Sequence, residues 1–335
     1  MLRLQYETAR YAFEYPFETS HGLRTHQDAL LVKVGFGPWT GHGECTSIPY
    51  YQANVAAYYQ LLTEYKKAVE QYAYNGPERF WHFLHHLFPG KNFLIAALDI
   101  AGWDLFARMK QTSLHSIIGL QWKHLKPTCY TIGIQDIPTL EQIVSAKRSP
   151  VYKLKVNGLD DLEHVRALRK HTTADIWIDA NGAWKADDAR AILGELAQLG
   201  ITLIEQPFAP GEDEQVAACK SLAPGIIFIA DESCKTAADL DLALQHYDGV
   251  NIKLSKCGGM TPALQMMQRL KKEGKKIMIG NMCESQAGAN ALAHLIPIAD
   301  YVDIDGPLLL QTNPSLVYEE GYISIPDPSG SGYRP

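Results

Sequence analysis

The chain has 335 residues, 46% of them apolar, which is longer than one ordinary domain and enough for a substantial core. A net charge of −6 and a pI near 6.1 exclude a generally basic surface for nucleic acid or anionic lipid, and no run of 18 apolar residues is present to span a membrane. The six cysteines (45, 129, 219, 234, 257, 283) form no CxxC pair, and the start, MLRLQYETARYAF, lacks an apolar signal core. Reduced thiols and a cytoplasmic location are expected.

Residues 1–50 read as a three-strand meander, with MLRLQYETARYAF, DALLVKVGF and GPWTGHGECT as β-rich runs. The first connection, EYPFETSHGLRTHQ around Gly22, reads as a long polar loop of the kind that often carries function. Val55, Tyr58, Leu62, Tyr65, Val69 and Tyr72 recur at 3,4 spacing, one face of a helix. The run 93–110 is apolar nearly all round and is expected as a helix buried between layers. Asp99 and Asp104 within it read as buried, paired structural acids, and His85 and His86 as structural. Gly119 and Pro127 mark a boundary near 115–127.

From Cys129 the rhythm becomes strand, helix, strand. Eight strand candidates follow: 129–134, 151–157, 175–181, 201–207, 226–232, 249–256, 276–281 and 301–307. Helical patterns such as 187–200 and 261–274 lie between them, as parallel strands require. The pattern predicts an α/β fold with a closed (β/α)8-type barrel. The expected division is a capping unit over 1–120, joined by the tail 311–335, and a barrel over 126–310.

Three of these strands, DIWIDAN, ITLIEQP and IIFIADE, end in acid. Asp179, Glu205 and Asp231 are 26 residues apart in both steps. Neighbouring parallel strands bring the three carboxylates together at the C-terminal rim, where barrel active sites form. Clustered acids repel unless a cation joins them, and three oxygen donors suit a hard divalent ion. No His or Cys stands beside them, which disfavours zinc. Lys153 and Lys155, two apart, share a face of the second strand. Lys253 follows the sixth strand, half a turn away around the barrel, whereas Lys256 faces elsewhere. Asp303 and Asp305 share a face opposite the fourth strand. Singly, each has a plainer reading: a strand-end acid caps the next helix, Asp303 and Asp305 border a turn at Gly306–Pro307, and Arg24 is a solvated loop charge. The joint spacing of acids and lysines is what argues for a metal site.

Such a set suits proton transfer beside a carboxylate. The substrate carboxylate binds the ion, a lysine removes the α-proton, and the ion with a nearby lysine stabilises the enediolate. A lysine becomes a base only when a neighbouring lysine, the cation and desolvation depress its pKa. One lysine on each face of the planar enediolate allows racemisation or epimerisation.

KLK (153–155), DAN (179–181), IEQP (204–207), ADES (230–233) and NIKLSKCGG (251–259), in this order and spacing, resemble the muconate-lactonising-enzyme subgroup of the enolase superfamily. The resemblance implies a (β/α)7β TIM-type barrel under an N-terminal α+β capping domain. It implies one Mg²⁺ ion held by Asp179, Glu205 and Asp231, with Lys155 and Lys253 as the two bases. Lys153 becomes the electrostatic partner of the substrate carboxylate; Asn181 and Glu232, from their position beside the ligand acids, read either as groups that orient the site or as plainly structural. The DID at 303–305 resembles the DxD of dipeptide epimerases, where two aspartates hold the substrate α-ammonium. Arg24 matches the arginine that reads the acidic side chain in L-Ala-D/L-Glu epimerases. The cap loops near Arg24 and SIPYY (47–51) are expected to close over the substrate.

The activity thus implied is Mg²⁺-dependent epimerisation of a dipeptide by two-base 1,1-proton transfer, with a place in murein-peptide metabolism. GNMCES on strand seven lacks the histidine of a mandelate-racemase-type dyad, which argues against that sister subgroup. The rival activities are N-acylamino acid racemisation, o-succinylbenzoate synthesis and muconate cycloisomerisation. A non-catalytic metal-binding barrel is a rival of another class. The expected partner is the small-molecule dipeptide. No interface pattern stands out, which leaves a homo-oligomer open.

Overall fold

The computed structural model describes every residue except Pro328 and Pro335. Strands β1 (Arg3–Thr19), β2 (Gly22–Phe36) and β3 (Trp39–Thr46) form an antiparallel meander. The expected loop 14–27 is instead a hairpin whose strands run on to Thr19 and from Gly22. Its register shifts between Ala12 and Phe17, and Gly22 takes φ +114° at the tip. The polar side chains that suggested a loop lie on a solvent-facing ribbon, where alternation carries little burial signal.

Three helices back this sheet: α1 (Val55–Glu70), α2 (Pro77–Leu87) and α3 (Asn92–Met109). The Asn54 side chain caps α1 by accepting from Ala57 N at 3.0 Å. Val55, Tyr58, Leu62 and Val69 of the expected α1 face are buried, Tyr65 is half-buried, and Tyr72 lies past the helix end; α3 is buried nearly all round. The sequence reading drew no helix over 77–87, although Pro77 opens it and Phe80 and Leu84 face the core. Gly41 and Gly43 let β3 touch α3. A Cβ on Gly43 would stand 1.9 Å from Ala97 O.

Eight parallel strands follow: β4 (Tyr130–Ile132), β5 (Val151–Lys155), β6 (Asp175–Asp179), β7 (Ile201–Glu205), β8 (Ile227–Ala230), β9 (Gly249–Lys253), β10 (Lys276–Gly280) and β11 (Tyr301–Asp303). Each pairs with its neighbours in sequence, and a parallel bridge from Thr128 to Val302 closes the ring. A helix connects each strand to the next. After β11 only the short helix Gly306–Leu309 follows before the tail, so the eighth helix of a (β/α)8 barrel is replaced by the (β/α)7β form.

Side-chain alternation layers the interior. Cys129, Val151, Trp177, Leu203, Ile229 and Met278 form an apolar plug. Two residues further along the strands stand Thr131, Lys153, Asp179, Glu205 and Asp231, at the C-terminal end, with Lys253 at the end of β9. The tail bonds to the N-terminal layer through Gln311 N to Ala12 O (2.9 Å) and to the barrel through Thr128 N to Gly321 O (2.7 Å).

Asp104 is paired as expected, with Arg108 at 3.0 Å. Among the described residues Asp99 pairs with no cation; it accepts from Thr261 N and Oγ1. Burial pushes its carboxyl up to about 7, against those hydrogen bonds. All six cysteines are buried and unpaired. No helix among the described residues is long and apolar enough to cross a membrane.

Candidate active site

At the C-terminal rim the three strand-end acids come together with the lysines. Lys155 Nζ donates to Asp179 Oδ2 at 2.5 Å. Lys153 Nζ donates to Glu205 Oε2 at 3.2 Å and lies 3.8 Å from Asp179. Lys253 Nζ donates to Asp231 Oδ2 at 2.7 Å and stands 3.9 Å from Glu205. Lys256 turns back from the short helix Leu254–Cys257 and donates to Asp231 Oδ1 at 2.5 Å, and to the carbonyls of Asp231 and Cys234. It therefore meets Asp231 on the other carboxylate oxygen and borders no part of the cleft that Lys153, Lys155 and Lys253 line.

Asp303 pairs with Lys153 through Oδ2 and takes the Cys129 thiol on Oδ1 at 3.4 Å. Asp305, at the start of Gly306–Leu309, accepts from Thr131 N and, at 3.3 Å, from Asn281 Nδ2. Asn181 Nδ2 donates to Glu232 Oε1 at 3.1 Å. From the hairpin tip, Ser20 Oγ donates to Asn181 O, and His21 Nε2 reaches Glu232 at 3.5 Å while its ring stacks on Tyr50. Arg24, Ile48 and Tyr51 border the same cleft as Lys155, Asp303 and Asp305.

Several contributing residues went unread in the sequence. Asn251 Nδ2 donates to Glu205 Oε1 at 2.6 Å, and Gly280 makes room for it: a Cβ there would stand 2.5 Å from Asn251 Oδ1. Asn251 lies two residues before Lys253, the same-face spacing that could have revealed it. Asn281 and Cys129 carried no charge pattern. Asn181, Gln206 and Cys283 hold positive φ (44°, 35° and 58°) just beyond strand ends, the kind of backbone strain that clusters at functional sites.

The electrostatics follow from burial and neighbours. Burial raises the Asp179 carboxyl, yet Lys155 and Lys153 outweigh it and hold it below the usual range. Burial likewise raises Asp231, and Lys253 with Lys256 pull it well below. Glu205 is pushed up to about 8, first by burial and then by Asp179. Burial pulls the Lys253 ammonium down, but Asp231 and Glu205 pull harder and leave it above the ordinary lysine value. Asp305 is raised to about 6 by burial and by Asp303.

Four buried ammonium groups, of Lys153, Lys155, Lys253 and Lys256, face six buried carboxylates, of Asp179, Glu205, Asp231, Glu232, Asp303 and Asp305. The formal excess of two negative charges is what one divalent cation balances. The donors on β6, β7 and β8 are hard oxygens, as Mg²⁺ prefers. Tyr51 Oη, Asn181 Oδ1, Glu232 Oε2 and Asn251 Oδ1 are buried around these acids without a protein partner. This donor set fits the ion. Among the described residues, the group whose possible ligand atoms lie within 4.8 Å of one another is Cys129, Asp303 and Asp305, whereas Asp179, Glu205 and Asp231 each accept from a lysine. That group is a poor cation site, because burial raises the Cys129 thiol well above its ordinary value.

Residues 4–119 match the family described as mandelate racemase / muconate lactonizing enzyme, N-terminal domain, and residues 138–335 match enolase C-terminal domain-like. The chain belongs to this family of the enolase superfamily. Within it, several of its relatives are dipeptide epimerases, and one, 34% identical over 68% of this chain, is an N-acetyl-D-glutamate racemase from Pseudoalteromonas sp.. An L-Ala-D/L-amino acid epimerase from Maribacter sp. is 37% identical over 98% of both chains. A solved enolase family member from Agrobacterium tumefaciens, with homology to dipeptide epimerases and bound to sodium and L-Ala-L-Glu, superposes with TM-score 0.86 at 30% identity, covering 98% of this chain and 99% of that one. A dipeptide epimerase from Methylococcus capsulatus, complexed with Mg and L-Arg-D-Lys, gives TM-score 0.89 at 25% identity, covering 99% of each.

Proposed function

We propose that the chain is a cytoplasmic, Mg²⁺-dependent dipeptide epimerase acting on L-Ala-D/L-Glu in murein-peptide metabolism. The carrying observation is the placement of Lys155 and Lys253 on β5 and β9, on either side of three acids, in one cleft with Asp303 and Asp305. Asp179, Glu205 and Asp231 would hold the Mg²⁺, which supplies a Lewis acid for the substrate carboxylate and the charge developed beside it. Lys155 and Lys253 take and return the α-proton from opposite faces. Lys153 balances charge at the carboxylate, and Asp303 with Asp305 take the α-ammonium. Arg24 reads the acidic side chain. Asn181 and Glu232 orient the ligand acids. The barrel, 126–310, carries the chemistry. The cap, 1–120 with the tail 311–335, carries the side-chain wall and excludes water.

Asp305→Asn and Asp303→Asn test the dipeptide assignment against the N-acylamino acid rivals, which need no ammonium site. Each variant is expected to lose roughly 10²-fold or more in kcat/KM on L-Ala-L-Glu, as loss of a charged contact in a water-poor site implies. Unchanged kcat/KM on the dipeptide, or faster turnover of N-acetyl-glutamate than of L-Ala-L-Glu by the unmodified chain, contradicts the assignment.

A further inference from the structure

Arg24 sits on the cap side of the cleft, where one neighbour decides its direction. Arg24 Nη1 donates to Gln27 Oε1 at 2.6 Å. Gln27 is 1% exposed, and its Nε2 donates to Asp28 O and Ser47 O, both at 3.0 Å. Both amide protons and the amide oxygen of Gln27 are therefore engaged, and its side chain has one orientation. The guanidinium lies 5.4 Å from the ring centroids of both Phe13 and Phe17, which stack at 5.2 Å. Its Nη2 reaches 4.0 Å from Cys283 Sγ, on the cleft wall. Among the described residues Arg24 forms no ion pair. Its charge is oriented but not neutralised.

We propose that Gln27 is the positioning residue that sets the preference for dipeptides with an acidic second side chain. This rests on the reading of Arg24 given above and extends it to the residue that aims it. A neutral amide holds the guanidinium without consuming its charge. A carboxylate at 27 would pair with Arg24, and an apolar side chain would release it to many rotamers. The same amide ties the β2 end of the hairpin to Ser47 O, next to Ile48 and the segment that reaches Tyr51. Gln27 thereby fixes two walls of the side-chain pocket against each other.

The test is the ratio of kcat/KM on L-Ala-L-Glu to that on L-Ala-L-Leu, which does not depend on the active fraction of a preparation. Wild type, Arg24→Ala, Gln27→Met, Gln27→Glu and the double variant Arg24→Ala/Gln27→Met are compared with Mg²⁺ present. Gln27→Met is expected to reduce the wild-type preference for glutamate roughly three- to tenfold, the scale of one side chain losing its preorganisation. Gln27→Glu reduces it at least as far, and should one variant fail to fold the other carries the test. In the Arg24→Ala background, Gln27→Met leaves the ratio unchanged. Equal losses on both dipeptides in Gln27→Met, with the ratio still changed by Arg24→Ala, would make Gln27 merely structural and overturn the inference alone. A ratio unmoved by Arg24→Ala overturns the acidic reading and this inference with it, and a wild type inactive on both dipeptides overturns the proposed function as well.

Discussion

Lys253 can serve as a base only after losing the proton that Asp231 and Glu205 now help it keep. The same carboxylates are the proposed cation ligands, so sharing their charge with Mg²⁺ withdraws the stabilisation of the ammonium. Metal binding and base activation are thus one electrostatic event at this residue. Lys155→Ala and Lys253→Ala are each expected to lower epimerisation at least about 10²-fold, the scale of a removed general base. Each is expected to keep deuterium exchange on the one stereoisomer that faces the surviving lysine. Chiral analysis of the exchanged product checks this, and wild-type epimerisation in either variant contradicts the assignment. The charged members of the site were legible because alternation along a strand and equal spacing between strands fix which charges share a face. Asn251 and Asn281 were not, because an uncharged amide gives no such signal until its partner across the barrel is known. Three residues beyond Lys253, Lys256 is expected from strand alternation to face away from the site. The short helix after β9 instead brings it back to Asp231, which only tertiary geometry reveals.

At the scale of elements, the join between cap and barrel rests heavily on Glu44 at the end of β3. Its fully buried carboxylate accepts from Ser285 N and Oγ, Gln286 N and Gly288 N, across the loop after β10 and into the helix Ala287–Ala293. A carboxylate at a helix start also meets the favourable end of the helix dipole. Glu44→Ala leaves those donors buried without partners and is expected to cost about 3 kcal/mol or more in denaturant unfolding. A loss below about 1 kcal/mol would remove Glu44 from this role. Strand runs and apolar helices were legible because their periodicity reports burial directly. The tip of the β1–β2 ribbon, 14–27, read as a loop because much of it faces solvent, and the Glu44 clamp joins residues 241 to 244 apart in sequence.

For the whole molecule, the metal site and one buried acid make stability depend on solution conditions. If three strand ends share one ion in the folded state alone, Mg²⁺ at a hundredfold excess over its Kd adds about 2.7 kcal/mol. A calorimetric Tm is expected to rise with Mg²⁺ in the wild type and not in Asp231→Asn; an equal rise in both contradicts the assigned ligands. Asp99 gives a pH dependence of its own. Its folded value near 7 lies above the unfolded value of 3.8, so its contribution is fully present below about pH 4 and is lost as pH rises to about 7. Asp99→Asn is expected to flatten that decline relative to the wild type. Parallel stability–pH curves would show that Asp99 does not titrate in this window. The barrel order was legible from the strand–helix rhythm, which alone suggested a (β/α)8 form; closure without an eighth helix was legible only through the motif resemblance, because the tail after 310 has no period of its own.

The most direct measurement of the central claim is solvent proton exchange. The purified chain is incubated with Mg²⁺ and L-Ala-L-Glu in D₂O, and mass and stereochemistry are followed together. A gain of about one dalton at the glutamate α-carbon is expected, the value for one exchanged proton in two-base chemistry, with L-Ala-D-Glu appearing alongside it. Metal shown to be bound, with neither label nor epimer formed on this or any other dipeptide, would contradict it.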